Sequence, residues 1–280
     1  MKKSLVLLLA FLGIATAFSQ PETTGDNFSL EGALALFKKA NSLQEFETFL
    51  NQENNSVNNL DLNKDGETDY IMVDAIKEGT SHVIILSTYI YKKNKQDIAT
   101  IGIEKTGPES AVLQIEGDIN LYKQNTLAEP SETTESNSGG KGGPFATKIK
   151  LKQIVINVWF WPCIQYMYAP NYIVWHSPWY WNHYPKWWSP WKPFQFTVFY
   201  SNCNIYRNHY RRVSTRRVEI AHNLYVPRRR FSTVTFPKRS TNSPPRGNRN
   251  GTFQNAGNRN NGGGVRPTSG GRTNGGDRRR

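Results

Sequence analysis

Acidic side chains almost vanish from the second half of this chain. Residues 141–280 hold two, Glu219 and Asp277, against 24 lysines and arginines, whereas residues 20–140 hold 20 acids against 9 bases. The second half is therefore a poor source of the paired carboxylates that glycoside hydrolysis needs, and the two halves read as modules with different jobs. Cysteine is scarcer still. Cys163 and Cys203 are the only two, which excludes a disulfide-dense scaffold and any C-x-x-C zinc site. They are compatible with one disulfide or with two buried free thiols. Long apolar runs are missing after the first 19 residues. The best later candidate, "IVINVWFWPCIQYMYA" (154–169), is broken by Asn157, Pro162 and Gln165, so no later segment reads as a membrane span. Histidine is sparse as well: His82, His176, His183, His209 and His222. None accompanies a serine or cysteine in a recognisable nucleophile context, and all five read as ordinary packed or surface residues. A soft-metal set of Cys163, Cys203, His176 and His183 lacks ligand-type spacing.

What is present falls into five stretches. Lys2-Lys3, the apolar run Leu5 to Phe18 and the small residues Ala17 and Ser19 form a secretory signal peptide over 1–19, with the mature chain starting at Gln20. The expected address is the periplasm, the outer surface or the extracellular space. No lipoprotein-type cysteine follows the leader, Cys163 lying far downstream, so no lipoprotein anchor is expected. Residues 26–125 read as an acidic α+β domain. Ser29 can cap a helix carrying Leu30, Leu34 and Phe37 on one face. Ser42 and Glu45 form a capping-box pattern for a second helix with Leu43, Phe46 and Leu50 on its stripe. Strand-like runs follow at 69–76, 81–91, 97–103 and 110–115, joined by short polar links, which predicts an antiparallel meander. Residues 126–144, largely "AEPSETTESNSGGKGGP", read as a flexible linker. Residues 145–237 form an aromatic and basic module. All eight tryptophans lie between 159 and 191, Ser-Pro-Trp repeats at 177–179 and 189–191, and arginines cluster at 211–212, 216–217 and 228–230. Its prolines favour extended or turn backbone, with strands expected at 148–158 and 194–200. Residues 238–280 are Arg, Asn, Gly, Ser and Pro with almost nothing to bury, and read as a disordered basic tail.

One short loop carries specific chemistry. In "LDLNKDGETDYIMV" (60–73), Asp61, Asn63, Asp65 and Asp69 occupy positions 1, 3, 5 and 9 of a cation loop, with Gly66 at the turn position. Alternating oxygen donors on a tight turn converge on one point, which suits a hard cation such as Ca²⁺, and the Glu67 carbonyl would supply position 7. Position 12 is Met72 rather than a bidentate Glu, and β-prone residues follow instead of a helix. The stretch resembles the D-x-N-x-D-G-x-x-D loops of dockerin-like, FG-GAP-like and thrombospondin-type-3-like calcium modules. Without the position-12 carboxylate, affinity is expected towards the ~10⁻⁴–10⁻³ M range of extracellular modules. Asn, Asp and Gly also favour turns unaided, so an Asx-rich turn feeding a strand is the alternative.

The whole layout resembles a group of uncharacterised secreted proteins of the Bacteroidetes type. These share the leader, a small acidic domain with the "LDLNKDGETDYI" stretch (60–71), an "SPWYW" segment (177–181) and a basic low-complexity tail. The resemblance implies export and brings no activity with it.

These readings predict an exported, non-enzymatic envelope or matrix protein. Calcium would stabilise the acidic domain, and the basic aromatic module would attach to an anionic polymer, lipopolysaccharide or another envelope component, or to a protein partner through the aromatic segment. The leader argues against nucleic acid as the natural ligand of the arginines. The alternative is a secreted hydrolase acting on polysaccharide through carboxylates of the acidic domain, with the pairs Glu116/Asp118 and Asp74/Glu78 as candidates. No catalytic residue is assigned. The tryptophans can pack against the body or a partner, contact the envelope, or stack on sugars.

Overall fold

The hydroxyls of Ser29 and Ser42 start the two N-terminal helices. In the computed structural model, which describes residues 23–123, 126–131 and 155–233, Ser29 accepts from the Gly32 amide at 3.0 Å and opens α1 (Leu30–Lys39). Ser42 accepts from Glu45 at 3.2 Å and opens α2 (Leu43–Leu50). Each cap satisfies one of the orphan amides of a first turn. Glu45 reaches back one residue further than a capping box requires: its carboxylate accepts from the backbone and side-chain amides of Asn41.

The meander follows, as β1 (Met72–Glu78), β2 (Ser81–Tyr91), β3 (Asn94–Gly107) and β4 (Ser110–Gly117), each antiparallel to its neighbour. Two further strands extend the sheet. β5 (Leu127–Pro130) pairs with β4, and β6 (Tyr210–Val213) pairs with β5, giving a six-stranded antiparallel sheet in chain order. The protein is thus mixed α+β. The start of the expected 126–144 linker is corrected here: Leu127 and Ala128 are buried, because the edge of β4 offers them both backbone partners and a core. The second module expected from 145 likewise contributes a strand to the sheet of the first. The described residues all belong to one compact unit. The leader 1–19, residues 132–154 and the tail from 234 onward lie outside the described residues.

The aromatic region holds short helices: α3 (Pro162–Tyr168), α4 (Phe196–Asn202) and α5 (Asn204–Arg207), followed after β6 by α6 (Glu219–Tyr225). Pro162 stands at the first position of α3, where its missing N–H costs nothing. The strand expected at 194–200 is instead α4. Its aromatics serve helical spacing equally well, and Phe196 and Tyr200 meet at 5.6 Å between ring centroids.

Side-chain alternation divides the sheet into two faces. One face carries Val73, Ile84, Leu86, Ile101, Leu113 and Ile115, and packs with α1, α2 and α3 into the main core. The other face is mostly polar, with a small apolar cluster where Val83 and Ile85 meet Val218, Ala221 and Tyr225 of the α6 region. At Gly102 a Cβ would lie 2.8 Å from Val218 Cγ2 and 2.9 Å from Ala221 Cβ, so the glycine is what lets α6 lie this close to β3.

Candidate functional site

The loop at 61–69 turns through Lys64 and Gly66, both at positive φ (58° and 90°). Asp61 is its hub. Its carboxylate accepts from the Asp65 amide at 3.1 Å and the Gly66 amide at 3.0 Å. Asn63 Oδ1 accepts from Asp65 at 2.9 Å, Asp65 Oδ1 from Glu67 at 2.8 Å, and Asp69 Oδ2 from Leu62 at 2.6 Å. Burial raises the Asp61 carboxyl, with the charge of Asp65 adding to it. Burial, then the charges of Asp61 and Asp65, hold Asp69 well above the ordinary carboxylate range. The sequence-predicted acids are therefore close enough to repel one another, while their oxygens are engaged by the loop's own amides. Glu67 is exposed at the rim. Among the described residues no group of three or more His, Cys, Asp or Glu is arranged to hold a metal ion. The donor set itself, oxygen only and on a glycine turn, fits a hard cation.

The aromatic segment wraps around this loop. Thr68 donates its amide to the Trp191 carbonyl at 2.7 Å. Residues 173–177 run along the outer edge of β1, with Ala75 N to Trp175 O at 2.9 Å and Ser177 N to Val73 O at 3.0 Å. An edge that would otherwise offer free backbone groups is thereby covered. Glu47 of α2 fixes the arrangement. Its buried carboxylate accepts from Ser177 Oγ (2.8 Å), Tyr70 Oη (3.0 Å), Trp175 Nε1 (3.2 Å) and the Val73 amide (3.2 Å). Burial nevertheless pushes its pKa up to about 7, the four donors offsetting only part of the desolvation.

Between loop and aromatic segment lies an open groove of about 400 Å³, walled by Asp65, Thr68, Tyr89, Trp181, Tyr184 and Trp188 among others. A second groove of about 480 Å³ adjoins Asn51–Asn55, Trp187, Trp188 and Trp191. Trp188 belongs to both. The tryptophans are divided in role: Trp161 and Trp191 are buried, whereas Trp187 is 52% exposed.

The polar face of the sheet is occupied by the chain's own arginines. Arg229 grips Asp118 with both arms of its guanidinium, Nη2 to Oδ1 at 2.8 Å. Arg230 pairs with Asp97 at 3.0 Å and Asp74 at 3.4 Å, and Lys95 with Asp74 at 2.8 Å. Arg216 and His222 share Glu116 at 2.6 and 2.8 Å. Arg211 and Arg217 share Glu129 at 2.8 and 3.0 Å; on the opposite face, Arg212 pairs with Glu31 of α1 at 2.9 Å. Burial opposes ionisation of Asp74 and Glu129, but their basic partners hold both below the ordinary carboxylate range. Asp97 stays raised by burial despite Arg230. Three of the four acids considered for hydrolysis, Asp74, Glu116 and Asp118, are thus in ion pairs rather than facing an open cleft.

Both cysteines are free buried thiols, with no disulfide between them. Cys163 lies in α3, and Cys203 donates to the Ser56 carbonyl at 3.2 Å. Sequence reasoning missed Glu47, although the signal was present, and read His82 only as an ordinary packed or surface residue. Glu47 completes the i, i+3, i+4, i+7 stripe of Leu43, Phe46 and Leu50, so it points inward. His82 shares the strand face of Ile84 and Leu86. It is fully buried between Tyr168 and Tyr172, at 4.6 and 5.7 Å between centroids, with no hydrogen-bond partner on either ring nitrogen. Burial lowers its pKa from 6.5 to about 4, so it is a neutral core residue.

Comparison with known proteins gives no matching family model, no matching curated protein and no matching solved structure. No helix among the described residues is long and apolar enough to cross a membrane.

Proposed function

We propose that this is an exported, non-enzymatic envelope or matrix protein. In this reading a cation-stabilised α+β body presents an aromatic surface, and the basic tail (238–280) attaches to anionic polymer, lipopolysaccharide or another envelope component. The observation that carries the non-enzymatic part is the arginine strap: acids that a hydrolase would need in an open cleft are spent on Arg216, Arg229 and Arg230. Asp61, Asn63, Asp65 and Asp69, with the Glu67 carbonyl, would hold Ca²⁺, which would relieve the repulsion that adds to burial in raising Asp69. A ligand that binds only the folded state stabilises it. Calcium is therefore expected to raise the melting temperature of the mature protein, and Asp65→Ala to abolish the rise. An equal rise in both proteins would remove the loop from the assignment. A pull-down from envelope fractions, with and without EDTA, tests attachment.

A second reading, a polysaccharide hydrolase, draws on one observation: Asp69, raised by burial, adjoins the same groove as Asp65 and Glu67. Release of reducing sugar from polysaccharide that disappears in Asp69→Asn would establish it.

A further inference from the structure

The groove beside the loop has a composition that narrows its ligand. Among the described residues no lysine, arginine or histidine borders it, so none of them would neutralise a phosphate or sulfate there. It is not a continuous apolar trough suited to a lipid tail or an amphipathic helix, because Asn63, Asp65, Glu67, Thr68 and Asn182 interrupt the rings. Aromatic faces set among amide, hydroxyl and carboxylate groups match a ligand with apolar C–H faces and a rim of hydroxyls. Such a ligand donates hydrogen bonds to the acids and amides while its faces lie on the rings.

Buried polar atoms along the wall point the same way. Thr68 is 2% exposed, and its hydroxyl has no hydrogen-bond partner. Trp188 Nε1, shared by both grooves, is also without one, and so is Trp191 Nε1 in the second groove. A buried donor left unpaired costs its full desolvation, and such groups in a groove wall call for a ligand that completes them. Each groove is of ligand-pocket size, and both are open rather than enclosed. Two shallow grooves meeting at one tryptophan suit an extended chain better than a single small molecule.

We propose that the two grooves form a carbohydrate-binding track. It takes a short stretch of neutral polysaccharide against Trp181, Tyr184, Trp188 and Trp187, with sugar hydroxyls completing Thr68 and the indole N–H groups. The proposal goes beyond the attachment reading and depends on it only for the export that brings the grooves to a glycan.

The test uses the mature full-length chain in native gels cast with β-glucan, xylan, galactomannan or dextran sulfate. Retardation by at least one neutral polysaccharide is expected. Trp181→Ala should weaken it by about tenfold, as truncation of a central aromatic anchor does. Thr68→Val separates binding from folding. Removing an unpartnered buried hydroxyl should leave the melting temperature unchanged or raised, yet weaken retardation. No retardation by any neutral polysaccharide overturns the proposal, as does retardation indifferent to Trp181→Ala. Retention by dextran sulfate alone, lost in high salt, likewise overturns it and leaves the tail-attachment reading standing. Retention by a neutral glycan without any by dextran sulfate supports the track and sinks that reading instead.

Discussion

Replacing Glu47 by glutamine should make the protein more stable at pH 8 and leave it nearly unchanged at pH 5. Glu47 is 2% exposed and holds the aromatic segment to α2 through four accepted hydrogen bonds. Its carboxyl titrates at about 7 in the folded protein against an ordinary value of 4.5, because burial outweighs the four donors. A raised carboxyl pKa means that folding favours the protonated form. The associated stability is complete below about pH 4.5 and is lost as pH rises through 7. The two values make that loss about 3 kcal/mol. Glutamine imitates the protonated acid. Its carbonyl can take the place of Oε2, which accepts from the Val73 amide and Trp175 Nε1, while its NH₂ faces the Tyr70 and Ser177 hydroxyls, which can turn to accept. Urea unfolding of both proteins at pH 5 and pH 8, followed by tryptophan fluorescence, measures the difference. Comparing variant with wild type at each pH cancels every other titration, including that of His82, which slopes the opposite way over an overlapping range. A stability difference that is the same at both pH values would refute the assignment.

The same logic applies with reversed sign to His82. Its folded pKa of about 4, below the ordinary 6.5, gives stability that is present above pH 6.5 and lost as pH falls through 4, by about 3 kcal/mol; His82→Leu should remove that acid-side slope in urea titrations. Arg229→Ala should cost about 3–5 kcal/mol, because it strands the fully buried Asp118 carboxylate, and Asp118→Asn in the same chain should restore much of the loss in thermal melts. Both thiols should react with maleimide after denaturation without reductant, since neither is paired, and intact mass would read two additions.

Local signals in the sequence were the legible ones. Ser29 and Ser42 cap where the pattern places them, and β2 spans the run 81–91, because capping and alternation act over a few residues. β5 and β6 were not legible. "LAEP" is too short to announce a strand, and "YRRV" carries two adjacent arginines that read as a solvated basic loop. What makes them strands is each other and the distant acids Glu129 and Glu31, which accept from Arg211 and Arg212. Such pairings join residues eighty or more positions apart, and no short window of sequence contains both members. The loop at 61–69 was legible as a turn with clustered acids. Its neighbourhood was not, because Trp181, Tyr184 and Trp188 reach it only through the path set by Glu47 and the edge of β1.

The charge asymmetry of the sequence takes on a different meaning in the fold. Read along the chain, an acidic half and a basic half suggest two modules seeking separate partners. In space, six of the eight arginines between 207 and 230 are ion-paired to acids of the first half. The other two, Arg207 and Arg228, donate to Asn204 and to the Leu224 carbonyl. Much of the asymmetry is therefore an intramolecular complementarity, and it is strong where it is dry, as at Asp97 and Asp118, whose side chains are 0% exposed. Removing either partner of such a pair is costly, whereas the pair itself adds little net stability over a well-packed apolar pair. By composition alone, residues 238–280 add Lys238 and nine arginines against one acid, Asp277. The arginine clusters of 211–230 therefore belong to the fold, and the electrostatic attachment proposed above draws on basic residues outside them.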